Sequence, residues 1–265
     1  MRLNRIYTPS SLVTGADIAL TASGANHVAR VLRSRVGDVI GIFDGEGHEF
    51  CAIIASIKGQ QVVVNIGKHV ETTNESPLRI TLLQGVSRGE RMDLVVQKAT
   101  ELGVASIVPV ITDRSVVKLD RDQITKKQQH WLNIAIGACE QSGRARLPSV
   151  AAPISLSKYL ESGNKKAPQF EGHFERVIRL VLDPCASRSL SALAADKKSG
   201  NGEPPHFELH FELLIGPEGG LDDDEVAAAN RAGFASVSLG PRILRTETAA
   251  IAALSVLQAK WGDLL

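Results

Sequence analysis

Three short strings in the last third of the chain combine glycine, proline, acid and arginine in ways that could hold a ligand: LVLDP (180–184), LLIGPEGG (213–220) and SLGPRILRTETAA (238–250). Each starts as an apolar, strand-like run and ends in turn residues, and in an open parallel sheet ligands bind beyond the carboxyl ends of the strands. Gly216, Gly219 and Gly220 let a backbone approach a ligand closely, while Pro217 stiffens the turn. The same string also serves as an ordinary strand-to-helix connection. The sequence contains no Walker-type phosphate loop and no GxGxxG dinucleotide fingerprint. Glu218 lies inside the loop, and Asp222, Asp223, Asp224 and Glu225 open the next helix. Acids there satisfy the helix dipole but repel a phosphate that seeks the same amides.

The pocket therefore favours a ligand with adenine-like edges and a positive centre, and S-adenosylmethionine, a sulfonium, is of that kind. Arg242 and Arg245 flank Ile243 and Leu244 and precede Thr246, read as an N-cap, and Glu247. These arginines fit two roles, as salt-bridge partners of the acidic loop or as contacts to the phosphates of a polynucleotide. Arg88, Arg91, Arg114, Arg144 and Arg146 gather near predicted strand ends and suit anion contact, or a solvated face. His206 and His210 have i, i+4 spacing but follow Pro-Pro in an apparent insertion, a poor frame for a metal. Cys51, Cys139 and Cys185 are widely separated and read as packing residues, without a disulfide framework or zinc site.

The elements that must position these residues fall into two rhythms. VIGIF, FCAIIASI and QVVVNI, between 39 and 66, read as three short strands separated by turns, preceded by a helical pattern at 27–32. The polar stretch 71–77 ends in Pro77 and marks a linker, so a small β-rich domain occupies 1–75. Beyond it strands are predicted at 80–83, 106–111, 177–182, 213–215 and 237–239, alternating with helices at 90–102, 122–141, 222–232 and 246–261. That alternation predicts an α/β domain over 76–265 with a parallel sheet covered on both faces. Asp222 and Glu225 fit a capping box, with Leu221 placed as a staple. The stretches 163–176 and 197–206 read as surface insertions.

Composition sets outer bounds. Of 265 residues 43% are hydrophobic and 22% charged, which suits a soluble globular chain with a sizeable core. No apolar run approaches a membrane span and the first residues lack a signal-peptide core, so the expected home is the cytoplasm. The net charge of +1 conceals polarity. Residues 1–36 hold five basic groups against one acid, and residues 37–75 hold two against six. A basic face on a neutral protein is the footprint of a polyanion partner, and also of a solvated surface.

LLIGPEGGLDDDE followed by VSLGPRILRTETAAIAAL resembles the paired signature of the SPOUT class of RNA methyltransferases, and more narrowly of the family that methylates N3 of a uridine in 16S ribosomal RNA. GVSRGERMDLVVQKATELGV, PVITDRSVVK and HWLNIAIGACEQSGRARLP agree, and ANHVARVLRSRVGD resembles that family's PUA-like RNA-binding module. The resemblance implies a C-terminal SPOUT domain with a deep trefoil knot, an exception to unknotted topology, beside a small PUA-like β-barrel domain. It implies an S-adenosylmethionine site at Leu182, Gly216, Pro217, Glu218, Gly220, Leu239, Gly240, Ile243, Leu244 and Thr246, and a homodimer packed through the last helix. It implies that the partner is 16S ribosomal RNA or the small ribosomal subunit, which Arg5, Arg30, Arg33, Arg91 and Arg144 would meet.

Uridine N3 is a poor nucleophile until its proton leaves, so an arginine near the uracil carbonyls would stabilise the developing anion. Arg245 with Arg88 or Arg114 are the candidates, oriented by Glu247 or Glu140, and water or Glu247 would take the proton. Two other readings compete. One is a non-catalytic RNA-binding ribosome-assembly factor on the same scaffold. The other, a nicotinamide dehydrogenase, is disfavoured by the missing fingerprint and the acidic loop.

Overall fold

The computed structural model describes residues 3–115, 120–162, 176–195 and 209–264. The insertions at 163–176 and 197–206 lie outside them, His206 included, except for Arg176, which opens a strand. Contacts divide the chain into two compact units, Met1–Glu75 with Ile136–Leu147, and Ser76–Ala135 with Pro148–Leu265.

The first unit holds a mixed five-stranded sheet of β1 (Arg5–Tyr7), β2 (Asp17–Ala19), β3 (Val39–Phe43), β4 (Glu49–Lys58) and β5 (Gln61–Val70), in the order β1-β3-β4-β5-β2. β1 lies parallel to β3 and the other pairs are antiparallel. β4 and β5 slip register twice, between Phe50 and Ala52 and between Ile54 and Ser56, which bends the long ribbon. Alternating β-branched residues put Ile40, Ile42, Ile54, Val62, Val64 and Ile66 on one buried face. Helix α1 (Ala22–Asn26), capped by the Thr21 hydroxyl, runs into a π-helical turn at His27–Val31 that delivers Val28 to the same core.

Charge is buried in this unit as well. Arg5 grips Glu49 through two hydrogen bonds of 2.9 and 2.8 Å and donates to the carbonyls of Cys139 at 2.6 Å and Arg144 at 3.0 Å. Its guanidinium also lies 4.5 Å from the centre of the Phe43 ring. Gly41, opposite Arg5 in the β1–β3 register, leaves room for that pair, since a Cβ there would stand 3.0 Å from a Glu49 oxygen.

In the second unit every strand pairing among the described residues is parallel, in the order β12-β10-β11-β6-β7-β8 with β9 also on β7. Here β6 is Arg79–Gly85, β7 Ser106–Ile111, β8 Ser149–Val150, β9 Ile154–Ser155, β10 Arg176–Leu182, β11 Leu209–Ile215 and β12 Ala235–Val237. β6 and β11 are buried almost throughout, as strands covered on both faces must be. The helices of this unit are α2 (Glu90–Glu101), α4 (Leu156–Glu161), α5 (Leu190–Ala195), α6 (Asp223–Arg231) and α7 (Thr246–Trp261), while α3 (Arg121–Ser142) starts here and ends in the first unit. Register pairs Val181 with Leu214 and Ile215 with Gln84, so β10, β11 and β6 end side by side. After β11 the chain reverses across the sheet, and β12 pairs on the far side of β10. Among the described residues, no helix is long and apolar enough to cross a membrane.

His210 corrects the sequence reading. It belongs to β11, not to an insertion, and its buried ring meets the Thr81 hydroxyl at 2.9 Å. Burial first, and Arg79 and Arg179 after it, hold its pKa below the ordinary 6.5, against the opposing pull of Glu212. The unfolded chain therefore binds a proton near pH 6.5 that the folded chain refuses until lower pH. This contribution to stability is present above pH 6.5 and lost as pH falls below it. Urea titrations between pH 7.5 and about 5 are expected to show falling stability, with a shallower fall in His210→Asn.

Candidate functional site

The site is built where β10, β11 and β6 end. Gly85 at the end of β6 faces the loop after β11 so closely that a Cβ would run into the Pro217 backbone nitrogen. Gly216 in turn faces Gly220 and Leu221, with a hypothetical Cβ 2.8 Å from both backbones. Only glycine permits two such approaches in succession. Gly220 has φ of 72°, a left-handed bend that returns the loop toward α6. There Asp222 and Glu225 form the expected capping box, the Glu225 amide donating to Asp222 at 2.7 Å and the Asp222 amide to Glu225 at 3.1 Å.

Thr246 locks a third segment onto this junction. It was expected to cap α7, but Arg245 occupies the cap position and Thr246 is the first helical residue. Its hydroxyl donates to the Gly216 carbonyl at 2.7 Å and accepts from the Gln84 amide at 2.9 Å, with both side chains buried. The segment after β12 is pinned at its start too. The Ser238 amide donates to Arg188 and its carbonyl accepts from the Leu190 amide, each at 2.9 Å. Residues 239–245 therefore span two fixed ends.

A cleft of about 900 Å³ opens among these segments. Leu182, Gly216, Pro217, Glu218, Gly220, Leu239, Gly240, Leu244, Thr246, Arg245, Glu247, Arg91 and Arg114 all line it, so most of the residues singled out in the sequence converge. Ile243 lines it as well and, at 87% exposed, stands where the cleft opens to solvent. One oxygen of Glu247 is buried without a donor among the described residues. The walls thus mix aliphatic side chains, close backbone and a carboxylate in want of a donor, which suits a ligand with an apolar body, polar edges and a positive group.

Several arginines hold the loop itself. Glu218 accepts from the Arg88 amide at 3.0 Å and the Arg91 side chain at 2.9 Å. Partial burial pushes the Glu218 carboxyl up, but these bonds and one from its own backbone outweigh it, and its pKa lies below the ordinary carboxylate value. Arg114 donates to the carbonyls of Gly219 at 3.2 Å and Leu221 at 3.3 Å, so this candidate for transition-state contact braces the loop. The Arg88 side chain is exposed and does not line the cleft.

Other expectations fail in the first unit for one physical reason. Arg5 and Arg144 are 8% and 5% exposed, each paired internally, Arg5 with Glu49 and Arg144 with Glu75 at 3.1 Å, and neither can meet an external polyanion. Glu140 accepts from the Tyr7 amide at 3.1 Å and faces His27 at 3.3 Å, and does not orient a cleft arginine. Arg30 and Arg33 do face solvent, Arg33 with a φ of 53° that is rare for a residue bearing a side chain. Cys139 is a packing residue, but Cys185 is exposed and lines the cleft beside Asp183 and Pro184. Sequence reading missed Gly85 and Gln84. The run from β6 into GVSRGER carried the signal, a glycine directly after a buried strand.

The chain was compared with known proteins. A family profile described as an RNA methyltransferase domain matches residues 74–258, and one described as an RNA methyltransferase PUA domain matches residues 20–67. Ribosomal RNA small subunit methyltransferase E of Buchnera aphidicola is 34% identical over 263 residues, covering 99% of this chain and 98% of its own. The crystal structure of a protein of that name from Neisseria gonorrhoeae, bound to S-adenosyl methionine, is 35% identical with a TM-score of 0.83, covering both chains completely at 100%. A structure from Legionella pneumophila, in complex with the bound cofactor SAM, is 42% identical with a TM-score of 0.85 and equally complete coverage, 100% of each chain.

Replacing Thr246 by valine keeps its shape and removes both hydroxyl bonds, leaving the Gly216 carbonyl without its donor. The variant is expected to lose about 1–3 kcal/mol in urea denaturation, with the m-value unchanged.

Proposed function

The chain belongs to the RNA methyltransferase family that includes ribosomal RNA small subunit methyltransferase E, and on that premise we propose that it transfers a methyl group from S-adenosylmethionine to N3 of a uridine in the RNA of the small ribosomal subunit. The cleft carries the proposal: close backbone at Gly216 and Gly220, aliphatic walls at Leu182, Leu239 and Leu244, and the donor-seeking carboxylate of Glu247 fit an adenosyl group with a cationic centre. When bound, S-adenosylmethionine supplies a methyl group already activated on a sulfonium. The loops 182–185 and 216–220 with Leu239, Gly240, Leu244 and Thr246 would hold it, and the braces from Arg91 and Arg114 keep the middle loop in place before binding.

The rest of the task falls to the protein's own groups. In the reaction N3 gives its proton to water or Glu247 and takes the methyl as the donor's S–CH3 bond breaks to leave a neutral thioether, so negative charge builds on the uracil carbonyls before the methyl arrives. Arg245 lines the cleft and faces solvent, and its side chain has no partner among the described residues, which leaves its guanidinium available to stabilise that charge. Glu247, two residues on, is suited to orient it. Arg88, exposed beside the cleft, is suited to a flanking phosphate, and Arg30 and Arg33 to RNA further away. In the same reading residues 1–75 are a PUA-like RNA-binding domain and residues 76–265 the catalytic domain, its last strands threaded as a trefoil knot. Two copies pair through α7 in the cytoplasm.

Incubation with small subunits and labelled donor, followed by mass spectrometry of the nucleosides, is expected to yield 3-methyluridine. A label on another atom or base rejects the N3 assignment, and no label rejects catalysis. Gly216→Val is expected to abolish donor binding in titration calorimetry, because the side chain would fill the space against Gly220. Arg30→Ala combined with Arg33→Ala is expected to weaken RNA binding and to reduce the slope of log affinity against log salt by about two.

A further inference from the structure

Ile243 is 87% exposed, the most exposed of the large hydrophobic residues among those described, and it lines the cleft where it opens to solvent. A single exposed aliphatic residue is ordinary on a protein surface, but this one has an unusual setting. Its neighbours Arg242 and Arg245 are exposed, and their side chains have no hydrogen bond or ion pair among the described residues. The loop that carries it is not slack. The Ser238 backbone bonds fix one end, the Thr246 hydroxyl and the Ala249 amide to the Arg245 carbonyl at 2.8 Å fix the other, and Gly240 at φ 89° with Pro241 shapes the turn between. The protein thus presents one aliphatic side chain on a loop held at both ends, between two cationic side chains, where the cleft opens to solvent.

We propose that Ile243 is a wedge that enters the RNA stack in place of the target base while Arg242 and Arg245 hold the strand on either side. This rests on the methyl-transfer reading above and adds how the substrate is opened. N3 lies on the pairing edge of uracil, inside any stacked or paired helix, so the base must swing out before a cleft can receive it. Extrusion leaves a gap whose neighbouring bases have lost their stacking, and an apolar side chain inserted there recovers part of that loss. An aliphatic group gains most from burial where it is now most exposed, and arginines beside it supply the attraction to phosphate that brings the strand to it. Once the base is extruded, Arg245 stands beside both strand and cleft, which couples opening to the reaction.

The test uses the full chain and an RNA hairpin taken from around the methylated uridine, with 2-aminopurine on its 3′ side. Wild-type protein is expected to raise the fluorescence as the reporter loses its stacking partner. Ile243→Ala is expected to lose most of that rise and to lower kcat about tenfold, with donor affinity unchanged, and Ile243→Met to restore both. Unchanged fluorescence and kcat in Ile243→Ala overturn the wedge. Weakened donor binding also overturns it, by making Ile243 part of the donor pocket. A change of oligomeric state in sedimentation does the same, by making it a contact between copies. The fluorescence arm needs no turnover. Wild-type protein that raises the signal yet transfers no methyl group rejects the methyl-transfer reading alone, whereas wild-type protein that leaves the signal flat rejects the wedge.

Discussion

Gly85 and Gly216 bring two backbones closer than any side chain would allow, and the Thr246 hydroxyl fastens a third segment to the same point. Two walls of the cleft, the loop after β11 and the residues before α7, meet at that junction, and β6 backs the loop through Gly85. The arrangement is costly to alter because it has no slack. A methyl group at Gly85 must displace backbone, and a lost hydroxyl at Thr246 leaves a buried carbonyl without a donor. The sheet makes the junction available by ending β10, β11 and β6 in register, at the point where the chain turns back across it.

Arginine does two kinds of work in this molecule. Arg5 and Arg144 are interior residues that satisfy carboxylates and carbonyls in the first unit, and Arg91 and Arg114 splint the cleft loop in the second. Arg30, Arg33, Arg88, Arg242 and Arg245 face outward. A basic count along the sequence merges these populations, although only the second can attract a polyanion. Truncating an interior arginine strands its buried carboxylate, while truncating an exterior one alters association and its dependence on salt.

Periodicity made the main elements legible. α2, β7 and α7 lie where the apolar spacing places them, and the capping box at Asp222 and Glu225 forms as its residues suggest. The convergence of three loops could be read from glycine, proline and arginine at strand ends, and the resemblance of those strings to a known signature sharpened it. Two-residue strands such as β8 and β9 carry no period and were invisible. Burial of charge was equally hidden, since Arg5 sits in a polar-looking N-terminus and meets Glu49 and Cys139 only through tertiary structure. Thr246 was misread because a hydroxyl before a helix resembles a cap unless the buried carbonyl it prefers is known. Gly85 was overlooked because its partner, Pro217, lies far along the chain.

The buried charges of the first unit also bear on how the chain matures during synthesis. Arg5 needs the carbonyls of Cys139 and Arg144, and Glu75 accepts from the amides of Ala145 and Arg146. When residue 75 leaves the exit tunnel of a translating ribosome, these groups have only water and each other. The leading segment of the nascent polypeptide cannot finish until elongation has passed Leu147, which closes the unit. Vectorial folding, N-terminal part first, is therefore deferred here, and chaperones have a window in which to meet an incomplete sheet with unsated ionic groups.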